Sequence, residues 1–149
     1  MPRDDLLIGR ASIPGHAYHV TACTDARREV FRDLRCGRLL VFEMRALHES
    51  NAVTSLAWVI MPDHLPWLFQ LGDSLSLAQV MKQLKGRSAL QINALLGRRG
   101  ALWQRGFHDH GIRAEEDLRA VSRYIVANPL RAGLVPRVGD YPLWDAIWV

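Results

Sequence analysis

Hydrophobic and polar positions alternate along the chain with two different periods, and the switches between them outline the elements. Ala17-Tyr18-His19-Val20-Thr21-Ala22-Cys23-Thr24 is rich in β-formers and lies between Pro14-Gly15 and Asp25, which predicts a first strand. From Val30 to about Ser50, the residues Phe31, Leu34, Leu39, Phe42 and Leu47 recur at roughly helical spacing, so a helix is predicted there despite Gly37. Two apolar runs follow, Val53 to Ile60 and His64 to Phe69, with Met61-Pro62-Asp63 between them. Proline presets φ for a turn and aspartate bonds locally to the backbone, so this stretch predicts a β-hairpin. Leu75 to Leu96 is a long amphipathic stretch with Ser74 or Ser76 to cap it and Gly97 to stop it. Leu102 to Ile112 is irregular and aromatic, read as a loop with a short strand. Glu115-Glu116-Asp117 then place acid where a helix macrodipole favours it, and Leu118, Val121, Tyr124 and Ile125 continue the helical spacing. That helix should end near Ala127, because Pro129 biases Asn128 away from the α region. Antiparallel strands mixed with covering helices define an α+β fold rather than a doubly wound parallel sheet.

Composition changes this picture only in part. The chain has 149 residues, 49% hydrophobic and 23% charged, which excludes wholesale disorder and predicts one domain over 1–149, its core at about 14–136 with short tails. No apolar run approaches the roughly 18 residues of a membrane span. Met1-Pro2-Arg3-Asp4-Asp5 carries acid where an export signal carries base, and Cys23 and Cys36 lack metal-type spacing. Reduced thiols and a cytoplasmic location are therefore expected. The formal net charge is +4, and all but two of the 19 basic residues (Lys82 and Lys85) are arginine. That skew suits a phosphate-rich partner or a codon bias equally well.

Three constellations could carry chemistry. In the second hairpin strand, positions 64, 66 and 68 share one face and Leu65, Trp67 and Phe69 the other, which leaves His64 opposite the core face. Tyr124 and Asn128 lie four apart, so on one helix they share a face. Tyrosine can serve as a covalent nucleophile, although its phenol needs a cation or base nearby; the plain alternative is a core tyrosine and a helix-stop asparagine. Trp103-Gln104-Arg105-Gly106-Phe107-His108 interleaves donors with rings, as single-strand binding requires, unless Trp103 and Phe107 are core anchors. Lys82, Lys85 and Arg87 cluster on the long helix, and Arg123, Arg131 and Arg137 flank Tyr124. His108 and His110 would converge on a metal only from an extended strand, and otherwise are surface residues.

In order and spacing, these segments resemble the HUH single-tyrosine transposases, and most closely their REP-associated tyrosine transposases. The resemblance covers most of the chain. It rests on Tyr18-His19-Val20-Thr21, Trp58 through His64, Lys82-Gln83-Leu84-Lys85, Leu102 through Asp109 with Ile112-Arg113 and Glu116-Asp117-Leu118, and Tyr124 through Pro129 with Arg131 through Val135. It implies a ferredoxin-like antiparallel sheet flanked by helices and a Mg²⁺- or Mn²⁺-dependent single-strand DNA nuclease site acting on palindromic hairpins. Tyr124 would be the nucleophile, forming a 5′-phosphotyrosine link; His64 and Asn128 would be metal ligands; Lys82, Lys85, Arg87, Trp103, Gln104, Arg105, Arg123 and Arg131 would meet DNA. A nucleoid-associated monomer is implied, with a homodimer as the alternative.

One position departs from the family pattern. Pro66 stands where the second motif histidine is expected, and it supplies neither a metal ligand nor a backbone donor, so an edge strand would suit it best. A competing expectation is therefore a DNA-hairpin binding protein with impaired cleavage.

Overall fold

The computed structural model describes residues 13–148. Five strands, β1 (Ala17–Cys23), β2 (Val53–Val59), β3 (His64–Leu71), β4 (His108–Ile112) and β5 (Trp144–Ala146), form one sheet. Its order is β4-β1-β3-β2-β5, with every neighbouring pair antiparallel. Helices α1 (Leu34–Glu49) and α2 (Leu77–Leu96) follow β1 and β3. The run β1-α1-β2-β3-α2-β4 is the ferredoxin-like arrangement, and the α+β expectation holds. Helix α3 (Glu115–Val126) and the one-turn α4 (Asn128–Arg131) come after it.

Alternation along the strands splits the interior into two cores. Val20, Ala22, Leu65, Trp67, Phe69 and Leu71 pack with Leu40, Leu47, Val80 and Leu84 of α1 and α2 on one side of the sheet. Ala17, Leu68, Ala57, Val59 and Ile112 pack with Ile125 and Val126 of α3 on the other. The sheet is thus covered on both faces, and the face of His64 is the one that carries α3.

Local chemistry sets the helix ends. The first helix starts at Leu34, not Val30, because Asp33 caps it by accepting the Arg35 N–H (3.0 Å) and Val30–Arg32 form a 3₁₀ turn. Gly37 does not interrupt it; a Cβ there would lie 2.5 Å from Leu143 Cδ1, so the missing side chain admits the C-terminal segment. Helix α2 begins at Leu77 with Ser76 and Gln79 forming a reciprocal capping box and ends on Gly97 at φ 62°.

Two tertiary features depart from the expectations. The core does not stop at Pro136, since β5 pairs with β2, Leu143 is buried and the Tyr141 hydroxyl donates to the Ile60 carbonyl (2.6 Å). Three-residue β5 is too short to leave a periodic signature. Pro66 lies not at an edge but in β3, the middle strand. The His64 carbonyl accepts from Met61 across the hairpin, so two residues on the Pro66 nitrogen also faces β2. The β2–β3 register runs from Val53 opposite Leu71 to Trp58 opposite Trp67 and ends there. Val59, which would come next opposite Pro66, is not paired with it, so the missing donor falls in the gap between the Trp58–Trp67 pair and the Met61–His64 bridge.

Candidate active site

The Pro62-Asp63 turn delivers His64 and is itself pinned from outside the hairpin. The Pro62 carbonyl accepts from Phe31 N–H (3.0 Å), and the Asp63 carbonyl accepts from both the N–H (3.0 Å) and hydroxyl (3.1 Å) of Thr24. The Asp63 carboxylate turns back onto its neighbour. One oxygen lies 2.8 Å from His64 Nδ1, and the other accepts from Arg27 Nε at 2.9 Å. Burial pushes the Asp63 carboxyl up, but the bonds from His64 and Arg27 and their charge outweigh it and hold it below the ordinary carboxylate value. Because Asp63 occupies Nδ1, the Nε2 lone pair of His64 is the one left for a metal or a proton.

The Asp63–Arg27 pair was not legible in the sequence. Asp63 sits in the turn before β3, as its turn chemistry predicts, and its carboxylate bends back onto His64 and Arg27, which no local pattern announces. Arg27 follows Ala26 in the left-handed region (φ 52° and 55°), a conformation non-glycine residues adopt at a cost of about 1–3 kcal/mol each. Arg27 Nη1 also donates to Cys23 Sγ at 3.5 Å.

Strand register fixes what shares a face with His64. Cys23 stands opposite His64, Thr21 opposite Pro66 and His19 opposite Leu68; His108 and His110 stand opposite Thr21 and His19. Residues directly opposite share a face, so both β4 histidines look to the same side as His64 without any folding back. They lie two strands away from β3, however, about 10 Å at 4.8 Å per strand. Among the described residues, no three His, Cys, Asp or Glu side chains are placed to hold a metal together. His19 is kept below its ordinary value by burial and then by His110, and no described residue meets its buried Nε2.

The end of α3 carries the tyrosine. Ser122, Ile125 and Val126 are buried against the sheet, and Tyr124 is turned outward, 59% exposed. The helix ends at Val126 as expected, but Asn128 opens α4 instead of closing a continuous turn, so it does not simply stack on Tyr124. Pro129 has no N–H for the Ile125 carbonyl one turn back; Asn128 Nδ2 donates to it at 3.1 Å. A carbonyl can only accept, so the end of the amide that faces it must be the NH₂ group, and Oδ1 is the other end. Arg131 reaches back to Tyr124, Nη2 to the main-chain carbonyl at 2.7 Å and Cζ 3.8 Å from the ring centroid. No described contact joins Tyr124 to His64.

For a divalent ion, this donor set is a partial fit. His64 Nε2 and Asn128 Oδ1 are nitrogen and oxygen donors of the right type, and Pro66, two residues on along the same strand face, offers only carbon.

The expected DNA contacts separate into two groups. Trp103 is 6% exposed, stacked near Phe31 (centroids 5.5 Å) and bonded through Nε1 to Ser88 Oγ (3.0 Å). It is a core anchor with no face for a base, as is Phe107, which corrects the stacking expectation. Lys85 Nζ donates to the Gln104 and Gly106 carbonyls, tying α2 to the loop before β4. Lys82, Arg87, Gln104, Arg105, Arg123 and Arg131 are exposed. At 100° per residue, Arg87 lies well round the helix from Lys82 and Lys85, so these three do not form one patch.

A ferredoxin-like sheet with a histidine opening its middle strand and a tyrosine on the helix across the same face is the fold of the HUH single-tyrosine transposases. The family model described as transposase IS200 like matches residues 12–128, and the chain belongs to that family. It is 32% identical over 91 residues to the REP-associated tyrosine transposase of Escherichia coli, covering 58% of this chain and 50% of that one. It is 34% identical over 104 residues to a Haemophilus influenzae protein assigned to the same group, covering 63% and 59%. The chain thus matches between half and three-fifths of the length of these curated relatives. The structure of a REP-associated tyrosine transposase bound to a REP hairpin superposes with a TM-score of 0.75 at 24% identity, covering 91% of this chain and 79% of that one, a likeness of fold.

Proposed function

We propose that this chain is a single-strand DNA endonuclease and strand transferase acting on repetitive extragenic palindromic hairpins. The observation that carries this reading is the His64 imidazole, held through Nδ1 by Asp63, which leaves Nε2, on the sheet face against which α3, the helix that carries Tyr124, is packed. The Tyr124 oxygen attacks a phosphodiester, the P–O3′ bond breaks, and the leaving oxygen takes up a proton to become a free 3′-OH. The phenol proton passes to solvent or a base, and the phosphoester is stored on the tyrosine for transfer to a second end. His64 and Asn128 would hold Mg²⁺ or Mn²⁺, which supplies charge stabilisation at the phosphate. Mg²⁺ commonly keeps several waters and few protein ligands, so two donors suit weak binding. Lys82, Arg105 and Arg123 are the exposed cations assigned to the phosphate backbone.

The test is incubation of labelled hairpin DNA with Mn²⁺ and a search for a denaturation-resistant protein–DNA adduct. Tyr124→Phe abolishes the adduct, and its survival in that variant would sink the nucleophile assignment. Pro66→His increases the yield by about 10-fold or more, the scale on which metal-site partners act.

Pro66 also favours a second reading, a hairpin-binding protein that no longer cuts. Salt-sensitive hairpin binding without an adduct in any divalent ion, even with Pro66→His, would select it.

A further inference from the structure

We propose that Arg131 is a positioning residue for Tyr124, holding the nucleophile by its main chain and its ring at once; this rests on Tyr124 being the nucleophile. If α3 ran on, the Tyr124 carbonyl would accept the N–H of residue 128. The chain breaks at Ala127, and in place of that bond Arg131 Nη2 donates to the Tyr124 carbonyl at 2.7 Å. The same guanidinium lies over the Tyr124 ring, Cζ 3.8 Å from the centroid, in cation–π distance. An exposed tyrosine at a helix end ordinarily samples several rotamers, and freezing them costs free energy when DNA arrives. A planar cation anchored on the residue's own carbonyl and laid on its ring restricts those rotamers beforehand.

The corner around this clamp is built for it. Pro129, in the first turn of α4, has no N–H for the Ile125 carbonyl, the Asn128 amide donates there instead, and α4 returns Arg131 toward Tyr124 within one turn. Arg131 therefore follows both the tyrosine and the candidate ligand Asn128 in sequence and reaches back past Asn128 to Tyr124. This assignment differs from an ordinary DNA-contact arginine, which would alter affinity and leave the geometry of the tyrosine alone.

The contact is read first in the free protein by NMR of the Arg131 side chain. Its protons are displaced by the ring current in the wild type and in Tyr124→Phe, and lose that displacement in Tyr124→Leu; identical shifts in all three overturn the clamp. The consequence is read in the adduct assay, in the wild type and in the Pro66→His background. Arg131→Gln slows adduct formation at saturating hairpin by about 10- to 100-fold, the cost of a small misplacement of a reacting group, with hairpin Kd within about 2-fold. Arg131→Lys, which keeps a cation and a donor, recovers most of the rate. A loss confined to Kd, or a Lys variant no better than Gln, overturns the positioning role. An absence of adduct in both backgrounds overturns the nucleophile reading instead, and the positioning role falls with it.

Discussion

Asp63 joins Arg27 to His64, and its two oxygens serve different neighbours at 2.9 and 2.8 Å. Removing the charge while keeping the shape, Asp63→Asn, frees the imidazole orientation. Mn²⁺ affinity, followed by electron paramagnetic resonance, should fall about 10- to 100-fold. An unchanged affinity would mean that His64 is oriented by something else. His19 offers a separate residue-scale prediction. Its folded value lies below 6.5, so between the two values the unfolded chain binds a proton that the folded chain refuses. Stability therefore falls as pH drops through about 6.5. Replacing it, His19→Phe, should flatten the difference in thermal midpoint between pH 7.5 and 5.5; an unaltered slope would assign that pH response to other groups.

At the scale of elements, each helix is set by local rules, and those rules predict how it responds to change. Gly86 lies on the exposed side of α2, and a Cβ there meets nothing within 4 Å. Gly86→Ala should stabilise the fold by about 1 kcal/mol, the helix-propensity difference, measurable by urea unfolding. Gly72 behaves in the opposite way. It follows β3, and a Cβ there would fall 2.3 Å from the Asn51 carbonyl oxygen and 3.0 Å from that of Ala52, both main-chain atoms that do not yield cheaply. Gly72→Ala should destabilise by about 1–3 kcal/mol, the range of overpacking. Equal effects at the two glycines would contradict the packing at the α1–β2 corner.

The whole molecule presents α3 on one sheet face over β2, β3 and β5, with His64 on that same face. The exposed basic residues assigned to the phosphate backbone, Lys82, Arg105 and Arg123, lie on three separate elements, α2, the loop before β4 and the end of α3. Binding to a hairpin should therefore respond to salt in modest steps, log K falling with log salt at about 0.7 per single-strand phosphate contacted. Neutralising Lys82 or Arg105 should reduce that slope by roughly one contact each. A slope that neither substitution alters would place the DNA elsewhere.

Periodicity and turn chemistry were enough to read most of the elements, because these are local. Ser76, Gly97, the Pro62-Asp63 turn and the break before Pro129 each act within a few residues, and the resemblance to the tyrosine transposases followed from the order of such segments. Charge composition stayed ambiguous, since an excess of arginine does not say which side chains face solvent. Sidedness and partnership were decided only in three dimensions. Trp103 looked like a stacking ring and is a core anchor, because α1 and α2 close over that side of the sheet. Asp63 looked only like a turn former and is also the partner of His64, because a turn, unlike a strand, can bend a side chain onto its neighbour. Pro66 looked suited to an edge and occupies the middle strand, because the β2–β3 register stops at Trp58 and Trp67, one residue short of the position where its missing donor would be needed. The sequence by itself determined the class of protein and its candidate chemical groups. Tertiary structure decided which groups meet, since burial, register and the second partner of each carboxylate or guanidinium depend on residues far apart in the chain.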